Sequence, residues 1–130
     1  MNIRPYKHSD YETICSWWTT HGEPGPVLGM MIEDGTFVAE LCDEPALSLT
    51  VFLTQSKELA YLEGYVKNPK FKNLEAEGKQ LFEHCYDFAK SKGYKRVVMF
   101  SQVPKLNEKC IRYGMLKAAS HLSSTVKELE

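Results

Sequence analysis

A strand, a proline-marked loop and an amphipathic helix follow one another without a break over residues 61–92. The strand is predicted over 61–67 and the loop over 68–78. The helix after the loop has an apolar side made of Leu81, Phe82, Cys85, Phe88 and Ala89. Because the first N–H groups of a helix have no partner within it, this arrangement builds an anion-binding site at the end of the loop. The loop nevertheless carries Glu75 and Glu77 where a phosphate-binding loop would carry glycine.

The segment after this helix is predicted to be a buried strand. Gly93 stands where a residue in the left-handed conformation would end the helix. Residues 96–101 are mostly apolar and are predicted to form a strand buried on both faces. A strand, a helix and a second strand in this order make parallel neighbours with a right-handed crossover.

The remaining elements are predicted from turn residues and capping signals. A capping box at Ser9 and Glu12 precedes a helix that ends near Thr20. Pro104 suits the start of a helix that runs to about Tyr113. Further strands are predicted over residues 2–5, 36–41, 46–54, 115–118 and 121–128, with turns at 34–35, 43–45 and 57–58.

These elements together predict the fold class. Residues 46–54 alternate between apolar and polar side chains, which is typical of a strand with one buried face. The hairpins around the parallel unit make antiparallel neighbours. We therefore expect an α/β (α+β) fold with a mixed, mostly antiparallel central sheet of about six to seven strands and helices on both faces. The length of 130 residues predicts one domain over residues 1–130.

Composition and charge narrow the classes of function. The formal charge of −1 gives no overall attraction to nucleic acid or to an anionic membrane. No apolar run approaches the roughly 20 residues that cross a bilayer. The residues after Met1 do not resemble a signal peptide, and the four cysteines are widely spaced, so we expect reduced thiols in the cytoplasm that act as small core residues. The four histidines are scattered and predict no metal site.

The order of elements and several short motifs resemble the GNAT superfamily of N-acetyltransferases. Residues 3–5 (Ile-Arg-Pro) followed by 9–10 (Ser-Asp) are similar to the family's first strand and helix start. Residues 66–69 (Val-Lys-Asn-Pro) followed by 71–72 (Phe-Lys) are similar to its fourth strand and the start of its coenzyme A loop. Residues 106–115 are similar to its terminal helix and the turn that follows. The resemblance implies a GNAT-like fold, acetyl-CoA as co-substrate, and transfer of the acetyl group to an amine of a small molecule or peptide.

The resemblance also implies where acetyl-CoA binds. In the family the loop reads Arg/Gln-x-x-Gly-x-Gly/Ala, and its backbone N–H groups hold the pyrophosphate. Lys72 stands for the Arg/Gln, and Glu75 and Glu77 stand for the two glycines. Two carboxylates about 4 Å from a diphosphate would oppose binding by roughly 1 kcal/mol in water and about 4 kcal/mol at a protein surface. The implied cofactor-binding residues are Tyr65, Val66, Lys67, Lys72, Asn73, Leu74, Glu75, Ala76, Glu77 and Gly78.

Three residues are candidates for proton transfer. Family members place a tyrosine four residues before the glycine that ends the last helix, and it protonates the leaving thiolate. Cys110 holds that position, with a small packed residue as the alternative, and Tyr113 is a second candidate acid. A carboxylate on the fourth strand is often the base in relatives, which indicates Glu63. Partial desolvation would raise its pKa into a useful range, whereas the alternative is a solvent-facing strand residue. The reaction also asks the fourth strand to splay from the fifth.

Trp17, Trp18 and His21 are candidates for the acceptor site. The two tryptophans are adjacent on a helix and lie about 100° apart, so one is expected in the core. The other would lie beside the Gly/Pro-rich loop of residues 21–26 and suit a small apolar or peptide acceptor, with plain packing as the alternative. A second class of function stays open, because fold does not imply activity: a catalytically silent GNAT-fold binding or scaffold protein that does not use acetyl-CoA, including a homodimer.

Overall fold

The computed structural model describes residues 1–101, 103–119 and 124–129 and places seven strands and three α-helices among them. The strands are β1 Asn2–Pro5, β2 Thr36–Leu41, β3 Glu44–Leu53, β4 Ala60–Lys67, β5 Arg96–Phe100, β6 Leu116–Ala119 and β7 Ser124–Glu128. The helices are α1 Tyr11–Thr20, α2 Glu75–Ser91 and α3 Pro104–Arg112, with 3-10 turns at His8–Asp10 and Leu28–Met30. The sheet has the order β1-β2-β3-β4-β5-β7-β6.

Strands β4 and β5 are parallel neighbours joined through α2, as the sequence predicts. Their ladder pairs Ala60 with Val97 and Tyr61 with Val98. The ladders β1–β2, β2–β3, β5–β7 and β6–β7 are antiparallel. The predicted mixed, mostly antiparallel α+β sheet is therefore confirmed. The placement of helices on both faces stays a prediction.

The chain divides into two compact units, each with buried apolar side chains. The first unit comprises Met1–Thr50 and Gly64–Leu81, and the second comprises Val51–Glu63 and Phe82–Glu130. A cluster in the first unit is formed by Tyr6, Ile14, Trp17, Met31, Val38 and Val66. Buried residues of the second unit include Phe82, Cys85, Tyr86, Val97, Met99 and Cys110. That the whole chain is one domain stays a prediction.

The predicted capping box at Ser9 and Glu12 is wrong, because Asp10 organises the start of α1. Its carboxylate accepts two hydrogen bonds from the Arg4 guanidinium, each 2.8 Å long. It also accepts the Lys7 backbone N–H at 2.9 Å. Residues His8–Asp10 consequently form a 3-10 turn, and α1 begins at Tyr11. The predicted end of the helix at Thr20 is confirmed.

The turn predicted at residues 43–45 lies one residue earlier. Cys42 and Asp43 form a two-residue hairpin loop, and Leu41 pairs with Glu44 across it. Both loop residues have positive φ, 54° and 61°, which is the conformation that a tight hairpin turn of this kind requires. Cys42 is exposed there, so the expectation that every cysteine fills the core is wrong for this one.

Burial along β3 and β5 is the reverse of what their patterns predict. Residues 46–51 of β3 are buried without alternation, including Ser48 and Thr50. A central strand tolerates the Thr50 hydroxyl because it shares a 2.9 Å hydrogen bond with the Thr36 hydroxyl. In β5 the burial alternates, and Phe100 is exposed, so the prediction of a strand buried on both faces is wrong.

The glycines predicted to end the last two helices do so. Gly93 and Gly114 have φ of 88° and 96°, a region that costs glycine little. The next residue in each case bonds back to the helix: Tyr94 N–H to Ala89 at 3.1 Å, and Met115 N–H to Cys110 at 3.0 Å. Strand β7 begins at Ser124 among the described residues, and the predicted start of that strand at residue 121 lies outside them.

The ion pair between Arg4 and Asp10 makes stability depend on pH. Hydrogen bonds from Arg4 hold the pKa of the Asp10 carboxyl below its ordinary value. A depressed pKa contributes stability above the unfolded-state pKa, and this contribution is lost as pH falls through the folded-state pKa. We expect Asp10→Asn to lower the free energy of unfolding by about 1–3 kcal/mol at pH 7. Urea denaturation at several pH values should show the two proteins converging at acidic pH.

Glu128→Gln is the matched control, because Glu128 forms an exposed ion pair with Arg96. Exposed pairs contribute little, so this variant should stay close to the original protein at every pH. A constant difference between the original protein and Asp10→Asn from pH 7 to pH 3 would contradict the assignment.

Candidate functional site

Asn68 fixes the chain where it leaves β4. Its backbone N–H donates to the Ala46 carbonyl at 2.8 Å, and its side-chain Nδ2 donates to the Pro45 carbonyl at 3.0 Å. Its Oδ1 accepts the Lys70 backbone N–H at 3.0 Å, while its carbonyl accepts the Phe71 N–H at 3.1 Å. These bonds define a tight turn with proline at its second position. The first residues after β4 are therefore held against β3.

Helix α2 begins four residues earlier than predicted. The Gly78 N–H donates to the Leu74 carbonyl at 2.7 Å, so residues 75–78 form the first helical turn and the loop itself covers 68–74. Leu74 is buried, which anchors the chain at the helix start. Glu75 and Glu77 in a first turn favour the helix, because acidic side chains stabilise its positive end. This electrostatic preference explains why these residues join the helix.

The charges around this helix start are mixed. Lys70 is engaged by Glu44, with 2.6 Å between Nζ and Oε2. Lys72 is exposed, as is Glu75, whereas Glu77 is half-buried. The amide groups of the first turn can receive an anion, and Lys72 favours one. The carboxylates of Glu75 and Glu77 oppose it.

A glycine interrupts the strand that leads into this loop. Gly64 has φ of 72° in the middle of β4, which a side chain would strain. A glycine of this kind inside a strand marks a bulge or a close approach of another group to the backbone. Beyond it, Val66 is buried in the first unit's core cluster, while Tyr65 and Lys67 are half-buried. Neither Asn68 nor Gly64 is among the site residues predicted from the sequence, although an Asn-Pro pair and an isolated strand glycine are recognisable signals.

The acceptor candidates fall into two groups. Trp17 lies in the core with 3% of its surface exposed, and Trp18 packs partly buried against the same cluster. The expectation that one tryptophan is buried is therefore met by Trp17, which leaves Trp18 with open surface. His21 is exposed, and its Nε2 donates to the Lys67 carbonyl over 3.0 Å. This bond ties the loop after α1 to the end of β4.

Glu63 lies on the exposed side of β4 in the second unit. Partial loss of hydration raises the pKa of its carboxyl above the ordinary value. The sequence left open a solvent-facing strand residue and a carboxyl with a raised pKa. Glu63 has both properties, since its side chain is exposed and its pKa is raised. The β4–β5 ladder ends at the Tyr61–Val98 pair. Among the described residues, the β4 residues that follow this pair in the second unit have no pairing partner on β5.

The two candidate acids lie in the interior of the second unit. Cys110 has no exposed surface, its Sγ is 3.4 Å from Met99 Sδ, and burial raises the pKa of its thiol. Tyr113 is 3% exposed, with its ring centroid 5.0 Å from that of Phe82. The Tyr113 carbonyl accepts the Tyr86 hydroxyl at 2.9 Å. The structure places Cys110 where the packing alternative expects it.

Within residues 1–101, 103–119 and 124–129, no group of three or more His, Cys, Asp or Glu side chains is arranged to hold a metal ion. Across the same part of the chain, every helix is too short or too polar to cross a bilayer.

Several proteins of known structure share this arrangement, and some of them are named as N-acetyltransferases. N-acetylglutamate synthase from Neisseria gonorrhoeae, solved with coenzyme A and N-acetyl-glutamate, has a TM-score of 0.82 at 14% identity, covering 99% of this chain and 35% of its own. The Mycobacterium tuberculosis protein Rv2747, in complex with CoA and a second ligand, has a TM-score of 0.81 at 13% identity and covers 100% of both chains. The chain has the GNAT fold. Aminoglycoside 6′-N-acetyltransferase from Enterococcus faecium has a TM-score of 0.80 at 10% identity, covering 100% of this chain and 98% of its own.

The GNAT fold predicted from the sequence is thus confirmed, and identities this low carry the fold alone. This chain spans about a third of the gonococcal enzyme, 35% of that chain, and the whole of the mycobacterial one. No protein-family model and no curated protein matches the sequence.

The bonds of Asn68 predict a stability cost at this site. Asn68→Ala removes a buried donor and a buried acceptor and leaves the Pro45 carbonyl and the Lys70 N–H without their partner. We expect the free energy of unfolding, measured by urea denaturation, to fall by about 1–3 kcal/mol. Lys70→Ala in the same turn is the control, because it removes an exposed ion pair with Glu44 and a 6.0 Å contact with the Phe71 ring and leaves the turn's hydrogen bonds in place. Equal losses in the two variants would contradict a specific role for Asn68.

Proposed function

We propose that this chain is a cytoplasmic, single-domain N-acetyltransferase that moves the acetyl group of acetyl-CoA to an amine of a small molecule or peptide. The observation that carries the proposal is the turn held by Asn68 at the end of β4, from which the loop over 68–74 leads to the first turn of α2. In the same fold, the gonococcal and mycobacterial structures named above contain coenzyme A. A strand that ends at a helix N-terminus is an arrangement suited to a diphosphate.

The residues around this turn would hold the co-substrate, which supplies an acetyl group activated as a thioester. The amides of Ala76 and Glu77 open α2 and have no acceptor within the helix. Lys67 and Lys72 add positive charge beside them. The backbone of Tyr65, Val66 and Lys67 would pair with the pantetheine chain, and Asn73, Leu74, Glu75 and Gly78 would complete the loop side of the site. The backbone N–H donors at the start of α2 suit a diphosphate, whereas the negative charges of Glu75 and Glu77 weaken its binding.

Proton transfer is assigned to residues of the second unit. Glu63 would accept the proton that the attacking amine loses, since loss of hydration raises the pKa of its carboxyl and makes it a stronger base than an ordinary glutamate. Cys110 or Tyr113 would supply the proton that the departing thiolate takes up. Both side chains are buried, with Tyr113 3% exposed and Cys110 0% exposed, so the choice between them stays open. Trp18 and His21 would line the acceptor side, with Trp17 behind them in the core.

A cofactor-free scaffold or binding protein is the second candidate function, including one that acts as a homodimer. Two observations favour it: acidic side chains at the helix start and a buried thiol at the position of the family's acid. Binding of acetyl-CoA distinguishes the two candidates.

Acetyl-CoA should raise the melting temperature. A ligand at 100 times its dissociation constant stabilises the folded state by about 2.7 kcal/mol, which scanning fluorimetry detects as a shift of several degrees. Coenzyme A should act similarly, whereas adenosine lacks the diphosphate and should shift the melting temperature much less. No shift with millimolar acetyl-CoA would overturn the enzyme proposal and favour the scaffold.

The two glutamates at the start of α2 should weaken acetyl-CoA binding. We expect the double variant Glu75→Gln, Glu77→Gln to bind acetyl-CoA about tenfold more tightly, because it removes charge repulsion of the size estimated for exposed groups. Its melting temperature without ligand should fall slightly, since acidic residues favour a helix start. Glu83→Gln, at an exposed position further along α2, is the control and should change neither quantity. Unchanged affinity in the double variant would place both carboxylates away from the ligand.

Glu63→Gln should lower turnover while leaving acetyl-CoA affinity unchanged. Because the pKa of Glu63 is raised, its proton-accepting form is populated only at a higher pH than for an ordinary glutamate. Turnover of the original protein with an amine substrate should therefore rise with pH through that pKa. The rise should disappear in Glu63→Gln, and a pH profile identical to that of the original protein would remove Glu63 from the mechanism.

A further inference from the structure

The last carbonyl of β4 points away from the neighbouring strand β3. The Asn68 N–H donates to the Ala46 carbonyl of β3 at 2.8 Å. The Lys67 carbonyl belongs to the same peptide group as this N–H, and the peptide bonds of the described residues are trans. In a trans peptide the N–H and the C=O point in opposite directions, so the Lys67 carbonyl faces the edge of β4 that is turned away from β3. A pantetheine chain that pairs with the end of β4 lies along this edge.

The direction of this carbonyl is fixed by the turn that follows it. Asn68 is held through its backbone N–H and also through its side chain, which bonds to the Pro45 carbonyl and to the Lys70 N–H. The peptide group between Lys67 and Asn68 cannot rotate without breaking the bond to β3. The Lys67 carbonyl therefore offers its lone pairs to one side, and a group on that side competes with a ligand for the same oxygen.

His21 occupies that side of the strand. Its Nε2 lies 3.0 Å from the Lys67 carbonyl oxygen. Because a carbonyl oxygen can only accept, the imidazole is the donor, and both its neutral and its charged form can donate from Nε2. His21, Lys67 and the loop over 68–74 all belong to the first unit. Within that unit, an imidazole thus holds a backbone acceptor that the proposed function assigns to the pantetheine chain.

The end of α1 fixes the backbone from which His21 reaches β4. The Gly22 N–H donates to the Thr19 carbonyl at 3.0 Å, and Gly22 has φ of 81°. The Glu23 N–H donates to the Trp18 carbonyl at 3.0 Å. These two bonds close the helix as a Schellman motif, with His21 as its C-cap. Because the His21 side chain is exposed, it can rotate into solvent and break its bond to β4 while α1 stays in place.

We propose that His21 is an autoinhibitory latch on the acetyl-CoA site. In the free protein the imidazole holds the Lys67 carbonyl, and the pantetheine chain binds there after the ring has turned away. The inference rests on the proposed acetyltransferase function and describes the regulation of its acetyl-CoA site. One hydrogen bond of this kind favours the latched form by about threefold to tenfold, and it lowers the apparent affinity for acetyl-CoA by the same factor.

Removal of the imidazole tests the latch. His21→Ala should lower the acetyl-CoA dissociation constant about threefold to tenfold, as measured by isothermal titration calorimetry. His8→Ala is the matched control, because His8 is also exposed in the first unit and its ring lies beside Tyr6 and Glu33. A residue that merely supports the loop predicts weaker binding or no change in His21→Ala. Either result would overturn the proposal, and so would an equal gain in His8→Ala.

Binding kinetics distinguish a latch from a contact with the bound ligand. The latch exists only in the free protein, so its removal should raise the association rate constant of acetyl-CoA and leave the dissociation rate constant unchanged. Substitutions that alter contacts within a complex act mainly on dissociation. Stopped-flow fluorescence with the original protein and His21→Ala measures both constants. A gain in affinity that comes from slower dissociation would contradict the latch.

ADP separates the two ends of the acetyl-CoA site. It carries the diphosphate but no pantetheine chain, so it can bind at the start of α2 while His21 keeps the Lys67 carbonyl. His21→Ala should therefore leave the affinity for ADP unchanged. An equal gain for ADP and acetyl-CoA would place the effect of His21 at the diphosphate and refute a latch on the pantetheine chain.

Nitrogen NMR of the imidazole rings follows the latch directly. The Nε2 signal of His21, assigned by its loss in His21→Ala, should shift when the original protein is saturated with acetyl-CoA. It should stay in place with saturating ADP, because ADP leaves the bond to Lys67 intact. A His21 signal that does not change on saturation with acetyl-CoA would rule the latch out.

The acetyl-CoA melting shift separates this inference from the function on which it rests. If acetyl-CoA shifts the melting temperature of neither the original protein nor His21→Ala, the acetyltransferase function and the latch fall together. A normal shift in the original protein with an unchanged dissociation constant in His21→Ala would overturn the latch alone and leave acetyl-CoA binding intact.

Discussion

The side chain of Asn68 is the interaction on which the candidate donor site depends. One amide group donates to Pro45 of the neighbouring strand β3 and accepts from Lys70 of the turn, so the chain leaves β4 in a single direction. The direction of that exit sets where α2 begins, and thus where the amides of its first turn are presented. The proline at the next position limits the backbone further, because its φ is fixed. Five residues after that proline, Leu74 enters the core and closes the loop.

The start of α2 combines two demands that conflict. Glu75 and Glu77 stabilise the helix because they lie at its positive end, and for the same reason they occupy the place where a phosphate would lie. A glycine-rich loop leaves its amides open but contributes little to helix stability. The helix start here is therefore intrinsically more stable and less receptive to anions, and the balance between these effects decides between an acetyltransferase and a scaffold.

Local patterns in the sequence predict the elements well, and long-range contacts account for the errors. Glycines at 93 and 114 identify the helix ends because only local backbone geometry is involved. The start of α1 is mispredicted because Asp10 is captured by Arg4, a partner that no capping pattern contains. The full burial of Ser48 follows from the central position of β3, which alternation alone does not reveal. In the candidate site, residue type and position in the sequence propose Glu63 and His21, and their roles stay predictions. The burial of Cys110 against Met99 is not, since it depends on packing between distant segments.

The hairpin loop of Cys42 and Asp43 has a consequence for the evolution of this chain. Each residue occupies a backbone region that costs a residue with a side chain on the order of 1 kcal/mol, whereas Asn-Gly would occupy it with little strain. The loop thus stores unfavourable energy at an exposed tip, away from the buried positions that other substitutions would disturb. Substitution of these two residues by Asn-Gly would relieve the strain and raise the stability of the protein. That added stability can offset destabilising substitutions elsewhere when new activities are selected.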